Sequence, residues 1–472
     1  MRRRPKPRGP PTVDERWTPN VASFVFAYGV FFTIAWMGLQ HQTQVGPFDW
    51  YASVVWTIPV FMSLVGLAGG LRTSERMRER TLPPPVILET LVVVLPTVGR
   101  EDSQPALERV VASYCRELPR YFPRMRVEIL IEEDCQQRDQ IEALATANSR
   151  TQVITIPRGY ETPNHTRFKA RASHYAHMRR LDSGEARDDV WILHMDDDTG
   201  VGSDTARELA GFVGAQRSAG YKALHLGQGV LCFPREHSRN RLVWLADAVR
   251  PGCDITLFSA TTGSGLPRAG LHGELLLVRA SAEAAIGWDF GPRSIVEDAQ
   301  FAMLFCERYP GRTGWISGRS YGASPATVTD FIKQRERWIW GLLELATNDA
   351  VPLRWRLLLL HNVIVWSCAA FAHPALVVFV ANLAVGLSPT PVSAIVVPLW
   401  ALNMGFVIWL YWEGLKLNAL SSAQPRRLWW EPLCLVVLTP LFSILETVAI
   451  LRALMRVLRQ GEPAFTVIRK PS

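Results

Sequence analysis

The chain has 472 residues, 48% of them hydrophobic and 20% charged, with a formal net charge of +8. That length accommodates one large domain plus membrane segments. The positive charge lies mainly in arginine clusters beside apolar runs, where it attracts anionic headgroups and excludes nucleic acid as a partner; the seven cysteines contain no C-x-x-C pair and give neither a zinc framework nor a disulfide scaffold.

The N-terminal segment 1–20 carries Arg2, Arg3, Arg4, Lys6, Arg8 and Arg16. Apolar runs at 21–39 and 52–71 follow, each about as long as a bilayer core requires of a helix. Arg72, Arg76, Arg78 and Arg80 close the pair. Lys and Arg concentrate on the cytoplasmic side of short loops, so both basic segments are expected inside and the Lys- and Arg-free connection Gln40–Trp50 outside. The first run reads as a signal anchor, because it is long and no small-residue cleavage site follows it.

Pro83, Pro84 and Pro85 form a stiff linker into a polar middle region, 86–350, expected in the cytoplasm. There, short apolar strands alternate with helical stretches, the signature of an α/β fold with a largely parallel sheet. The predicted strands are Thr90–Leu95, Val127–Ile131, Gln152–Ile156 and Val190–Met195. Ligands in such sheets bind beyond the carboxyl ends of the strands, which directs attention to Thr97, Glu132, Arg158 and Asp196–Asp198. After the third strand, Phe168-Lys169-Ala170-Arg171-Ala172 offers two cations close to where a diphosphate would lie. His174 and His177 have no third partner for a metal, and Thr261–Gly265 reads as a turn.

The strongest local feature is His194-Met195-Asp196-Asp197-Asp198-Thr199 at the end of an apolar strand. Alternate residues of an extended chain face the same way, so Asp196 and Asp198 can address one divalent ion, Mg2+ or Mn2+, that bridges phosphates. A solvated acidic turn or a helix N-cap is the other reading of such a run, and the strand context favours metal. In Ser294-Ile295-Val296-Glu297-Asp298, a carboxylate at a helix start is either a cap or a general base; Asp298 is the candidate base. In Gln334-Arg335-Glu336-Arg337-Trp338, Arg337 can pair with phosphate and Trp338 can pack against a sugar, while both also suit a membrane-surface helix.

Three further apolar runs follow at 357–384, 392–412 and 433–451, and the connection 385–391 lacks Lys and Arg. Arg452, Arg456, Arg459, Arg469 and Lys470 favour the cytoplasm, which five crossings would forbid. The last run holds Pro440 and Glu446, so a re-entrant or interfacial hairpin is expected there and four crossings in all, at 21–71 and 355–412, with 413–472 returning to the cytoplasm.

An acidic triplet after a strand, a Glu-Asp pair and a Gln-x-x-Arg-Trp motif before a membrane helix together resemble the inverting family 2 glycosyltransferases, which include cellulose and hyaluronan synthases. Across 153–342 the stretches Pro157–Asn164, Phe168–Ala172, Gly270-Leu271-His272-Gly273, Ser294–Asp298, Ser324-Pro325 and Gln334–Trp338 are similar to the Egghead-type β-1,4-mannosyltransferases. The resemblance implies a GT-A fold between transmembrane helices, a GDP-mannose donor, a divalent metal and a β-1,4 linkage to a lipid-linked or glycan acceptor. It implies Asp196, Asp197 and Asp198 at the nucleotide sugar and metal, Thr97 and Glu132 at the nucleoside, and Lys169, Arg171, Gln334 and Arg337 at the phosphates. His272, Gly273, Glu274, Glu297 and Trp338 fall at the sugar and acceptor end, with Asp298 as base. The triplet is Asp-Asp-Asp where relatives tend to carry Asp-Glu-Glu, and Glu274 stands where a small hydroxyl residue is usual. Two other functions compete with this one: a processive β-glycan synthase using a UDP-sugar, and a non-catalytic membrane scaffold. The second predicts loss of the acidic residues, which are all present.

Overall fold

The computed structural model describes residues 17–40, 47–78, 85–268, 270–384, 393–423 and 430–459. The arginines at 2–16, the connections 41–46 and 385–391, Pro83, Pro84 and the tail with Arg469 and Lys470 lie outside the described residues.

One eight-stranded sheet organises the middle region: β1 (Thr90–Pro96), β2 (Met125–Glu132), β3 (Thr151–Ile156), β4 (Val190–His194), β5 (Gly200–Val201), β6 (Leu226–Cys232), β7 (Leu276–Arg279) and β8 (Thr313–Tyr321), in the order β3-β2-β1-β4-β7-β6-β8-β5. The first four strands pair in parallel, and β7 turns the sheet by pairing antiparallel to both β4 and β6. β1 and β4 are apolar almost throughout because helices cover both faces of the sheet, as an all-parallel segment requires. One core layer forms around Val92, Ile192, Leu276 and Phe301, the other around Leu91, Val93, Leu193 and Tyr114.

Four described helices or helical stretches are long and apolar enough to cross a membrane: Val21–Gln40, Ser53–Met77, Val396–Leu420 and Glu431–Leu458. The run at 357–384 lies in the 32-residue helix Leu353–Ala384. Val21–Gln40 packs antiparallel along Val396–Leu420, with Phe24 on Trp409 and Phe31 on Trp400. Gly66 and Gly70 let the second span close on Phe406 and Trp409, where a Cβ would stand 2.2 and 2.5 Å from ring carbons. The ends of the helices near Asn20, Thr73, Arg354 and Asn418 all reach the α/β domain: Thr73 Oγ1 donates to Ile255 O at 2.8 Å, Arg354 Nε to Glu307 at 2.9 Å and Phe233 N to Asn418 Oδ1 at 2.8 Å, while Trp409 Nε1 ties Asn20 to the same end.

The expected hairpin at 433–451 is instead one unbroken helix, Glu431–Leu458, that runs through Pro440. Its two ends touch the same domain. Glu431 accepts from Arg235 at 2.7 Å, and Arg452 and Arg456 flank Glu336, Arg452 at 2.8 Å. Between them, Glu446 accepts from buried Arg335 at 3.0 Å. Burial of polar contacts on one side, not a chain reversal, accounts for the charged residues that the sequence placed in an apolar run.

Candidate active site

The carboxyl ends of β1, β2 and β4 open on one side of the sheet, and the acidic triplet leaves β4 there. Its three carboxylates diverge. Asp196 accepts from Lys169 Nζ at 2.5 Å, Asp197 from Thr97 Oγ1 at 2.7 Å, and Asp198 from Ala323 N at 3.3 Å. The turn is closed by Thr199 N on Asp196 O at 3.1 Å, which rotates the side chains away from strand alternation. Asp198 is only 3% exposed, whereas the Asp196 side chain is 30% exposed, so of the pair expected to face one site only Asp196 reaches the open side.

Lys169 stands in the first turn of the helix Phe168–Asp182 and brings two parts of the chain together: besides Asp196 it has Glu297 at 3.8 Å. Burial opposes its charge, but Asp196, Glu297 and Glu274 outweigh that and hold the ammonium pKa above the ordinary lysine value. Gly273 leaves the room for this contact, since a Cβ there would stand 2.4 Å from Lys169 Nζ. Glu297 and Asp298 open the helix Glu297–Arg308. Burial, then repulsion from Glu297, pushes Asp298 up to about 7; burial also raises Glu297, against the pull of Lys169. A carboxyl with that pKa exchanges a proton near neutrality, which is what a general base requires.

The surplus carboxylates around Lys169 suit a divalent cation of the Mg2+ type, which takes one or two protein carboxylates and completes its shell with water and phosphate oxygens. Among the described residues no three His, Cys, Asp or Glu side chains form a closed cage. Of the two aspartates expected to hold a cation, Asp196 is the one whose side chain is partly exposed.

Arg171 pairs with Glu132, the other residue expected at the nucleotide end. Its guanidinium is held by Glu132 at 2.5 Å and by the carbonyls of Pro157 and Tyr160, so Arg171 and Glu132 brace the ends of β2 and β3 together. The motif Gln334–Trp338 lies within the helix Val328–Ala346, and Gly341 of that helix presses on Val296, just before the Glu297–Asp298 pair. Arg337 is close enough to bias Glu297 electrostatically. The ring of Trp338 carries the guanidinium groups of Arg335 at 4.4 Å and Arg250 at 4.5 Å. Gln334 accepts from Arg335 at 3.1 Å.

His272 and its neighbours form a second tier. His272 Nε2 meets Asp254 at 2.9 Å, its Nδ1 lies 3.6 Å from Glu274, and Gln228 Oε1 accepts from the His272 amide. Burial opposes protonation, but Asp254 dominates the outcome and raises His272 to about 9. Asp254 opens a π-helical turn, Asp254–Phe258, and is fully buried. No sequence motif marks it; a lone Asp in an apolar stretch was the only signal. His174 and His177 are buried near Glu283 and Tyr160: Tyr160 Oη lies 2.6 Å from His174 Nδ1 and His177 lies 3.9 Å from Glu283.

Residues 191–459 match the family described as glycosyl transferase family group 2. The β-1,4-mannosyltransferase egh of Drosophila melanogaster is 30% identical over 226 residues, 46% of this chain and 46% of that protein. The β-1,4-mannosyltransferase bre-3 of Caenorhabditis elegans is 26% identical over 228 residues, 47% of each. The chain thus matches about half the length of these relatives. The crystal structure of S. aureus TarS 1-349 superposes with a TM-score of 0.35 at 12% identity, covering 80% of this chain and 94% of that one. The same fragment in complex with UDP-GlcNAc gives 0.33 at 13%, with the same coverage. A mostly parallel sheet of GT-A type, an acidic turn at its carboxyl edge and flanking helices long enough to span a membrane accompany a family match over more than half of the sequence: the chain belongs to glycosyl transferase family group 2.

Proposed function

We propose that this glycosyltransferase moves mannose from GDP-mannose to a lipid-linked or glycan acceptor, inverting the anomeric carbon and forming a β-1,4 linkage. The observation that carries the reaction type is Asp298, a carboxyl raised to about 7 beside the Lys169–Asp196 pair. The similarity to two β-1,4-mannosyltransferases supports the donor and the linkage.

The acceptor hydroxyl gives its proton to Asp298 as its oxygen bonds to the anomeric carbon. The bond from that carbon to the diphosphate oxygen breaks, and the electron pair leaves with GDP. Thr97 and Asp197 line the nucleoside end, while Lys169 and Arg337 supply positive charge where the leaving group gains negative charge, so their benefit falls on the transition state. A divalent ion bound at Asp196 would add Lewis-acid stabilisation of the diphosphate. His272, held charged by Asp254, and Glu274 border the sugar.

The membrane reading is four crossings with the catalytic domain in the cytoplasm and the Glu431–Leu458 helix lying along the base of the domain. Contact of both ends of that helix with one domain supports it.

The test is donor hydrolysis and transfer by detergent-purified protein with GDP-mannose, GDP-glucose, UDP-glucose and UDP-N-acetylglucosamine, with and without Mg2+ or Mn2+. Metal-dependent release of GDP from GDP-mannose is expected. Preference for a UDP-sugar overturns the donor and favours a glycan synthase.

A further inference from the structure

After β6 the chain runs through Phe233–Asn240 into the short helix Arg241–Ala246, which Asn240 caps through its side chain. With the start of the Glu431–Leu458 helix this segment encloses a cavity of about 200 Å³ lined by Arg235, Ser238, Arg239, Arg241, Trp244 and Trp430 among others. It is separate from the site above. Pockets for whole small molecules begin at ~300 Å³, so this one has room for a headgroup but not for a nucleotide sugar.

Its lining carries three arginines against one carboxylate, Glu431. Arg235 is committed to Glu431, at 2.7 and 3.0 Å, and lies 5.0 Å from the centre of the Trp244 ring. Arg241 lies 5.4 Å from the centre of the Trp430 ring, and both Arg239 and Arg241 are exposed. Ser238 Oγ is buried with no hydrogen-bond partner among the described residues. A buried hydroxyl donor beside guanidinium groups is complementary to an anionic oxygen.

The cavity sits at the level where the helix bundle meets the domain. Immediately beyond Trp430 and Glu431, Leu433, Val436 and Val437 are 61%, 48% and 65% exposed, and the stripe continues at Leu441, Ile444, Val448 and Leu451. For a helix lying at the membrane surface, tryptophan and arginine beside an uncovered apolar face suit the headgroup level and the acyl boundary beneath it.

We propose that this cavity binds the phosphate of an anionic phospholipid from the domain-side leaflet, with the acyl chains lying on the exposed stripe of the Glu431–Leu458 helix. The inference rests on membrane embedding and not on the identity of the sugar donor.

The full chain, reconstituted in vesicles of phosphatidylcholine with a minor share of phosphatidylglycerol, is released for native mass spectrometry, and the retained lipid is identified. The expected result is retention of phosphatidylglycerol in preference to phosphatidylcholine. Arg239→Ala and Arg241→Ala should each weaken that preference about fivefold, in line with the contribution of one arginine near a charged surface. Arg138→Ala, a basic surface change elsewhere, should not, and Arg241→Lys, which keeps the charge, should retain the preference if the fold is intact. Equal retention of both lipids by the wild type overturns the proposal, as does an unchanged preference in the double alanine variant. Glycerol phosphate displacing the lipid as readily as phosphatidylglycerol itself would identify a site for free anions and overturn the lipid assignment.

Discussion

On the proposed mechanism Asp298 takes the acceptor's proton. Its pKa, pushed up to about 7 by burial and Glu297, sets the pH at which it can accept a proton. Transfer should therefore rise about tenfold per pH unit below 7 and level off above it, read from the pH profile of kcat/KM. Asp298→Asn should lower transfer by ~10²-fold or more while leaving donor affinity within a few fold; retained transfer removes Asp298 as base. The same shift has a stability sign. A folded-state pKa above the unfolded value of ~3.9 means the carboxyl adds stability at low pH that is lost as pH rises through 7. Asp298→Asn should hence raise the Tm at pH 8, and the gain should shrink as the pH falls toward 5. Asp298 and Lys169 were legible in sequence because motifs name them. The direction of each aspartate was not: strand alternation put Asp196 and Asp198 on one face, but the turn after β4 and the pull of Ala323 N bury Asp198. Asp254 was invisible, since its importance comes from tertiary contacts with His272 and the Leu231 amide.

The helix Val328–Ala346 shows what a motif conceals at the next scale. Gln334, Arg337 and Trp338 recur at helical spacing, while Arg335 and Glu336 between them face the Glu431–Leu458 helix. Arg335 is 1% exposed, bonded to Asp247 at 2.6 Å and Glu446 at 3.0 Å, with the Phe331 ring 4.5 Å away. Removing one partner from such a buried pair costs ~3–5 kcal/mol. Glu446→Ala should lower the Tm and impair transfer together, and adding Arg335→Met should recover little of the Tm, because it leaves buried Asp247 without its guanidinium, as measured by thermal unfolding in detergent. An unchanged Tm in Glu446→Ala would mean the pair is worth little. Among strands, β1 to β4 were read within about two residues because parallel, doubly covered strands are continuous apolar runs. β6 and β8 escaped notice: their glycines and polar residues, such as Gln228 and Arg319, break the run, and only pairing with neighbours makes them strands.

At the scale of the whole molecule the sequence left a parity conflict, with five apolar runs and a basic C-terminal end that wanted the same side as the domain. On the proposed membrane reading the conflict disappears if the last run lies along the domain, whose Arg235 and Glu336 contact its two ends. A cysteine placed at Leu458, which is 81% exposed, should then react with a membrane-impermeant thiol reagent from the same side as one at Glu101 on the domain, and one at Ser393 from the opposite side. Labelling of Leu458→Cys together with Ser393→Cys would make the last helix a crossing. Hydropathy alone could not have decided this, because a helix with one apolar face exposed and the other packed on protein has the same composition as a span.

The ionic contacts beneath Gln334–Trp338 also bear on how the enzyme can be handled. A fragment cut after the α/β domain would strip Glu446 from Arg335, which keeps only Asp247, both arginines of the last helix from Glu336, which is 3% exposed in the intact chain, and Asn418 from the backbone at Phe233. Glu336 and an amide would be left facing vacated space, and the helix Val328–Ala346 would lose its footing. The folding unit is therefore larger than the α/β domain and includes helices long and apolar enough to cross a membrane.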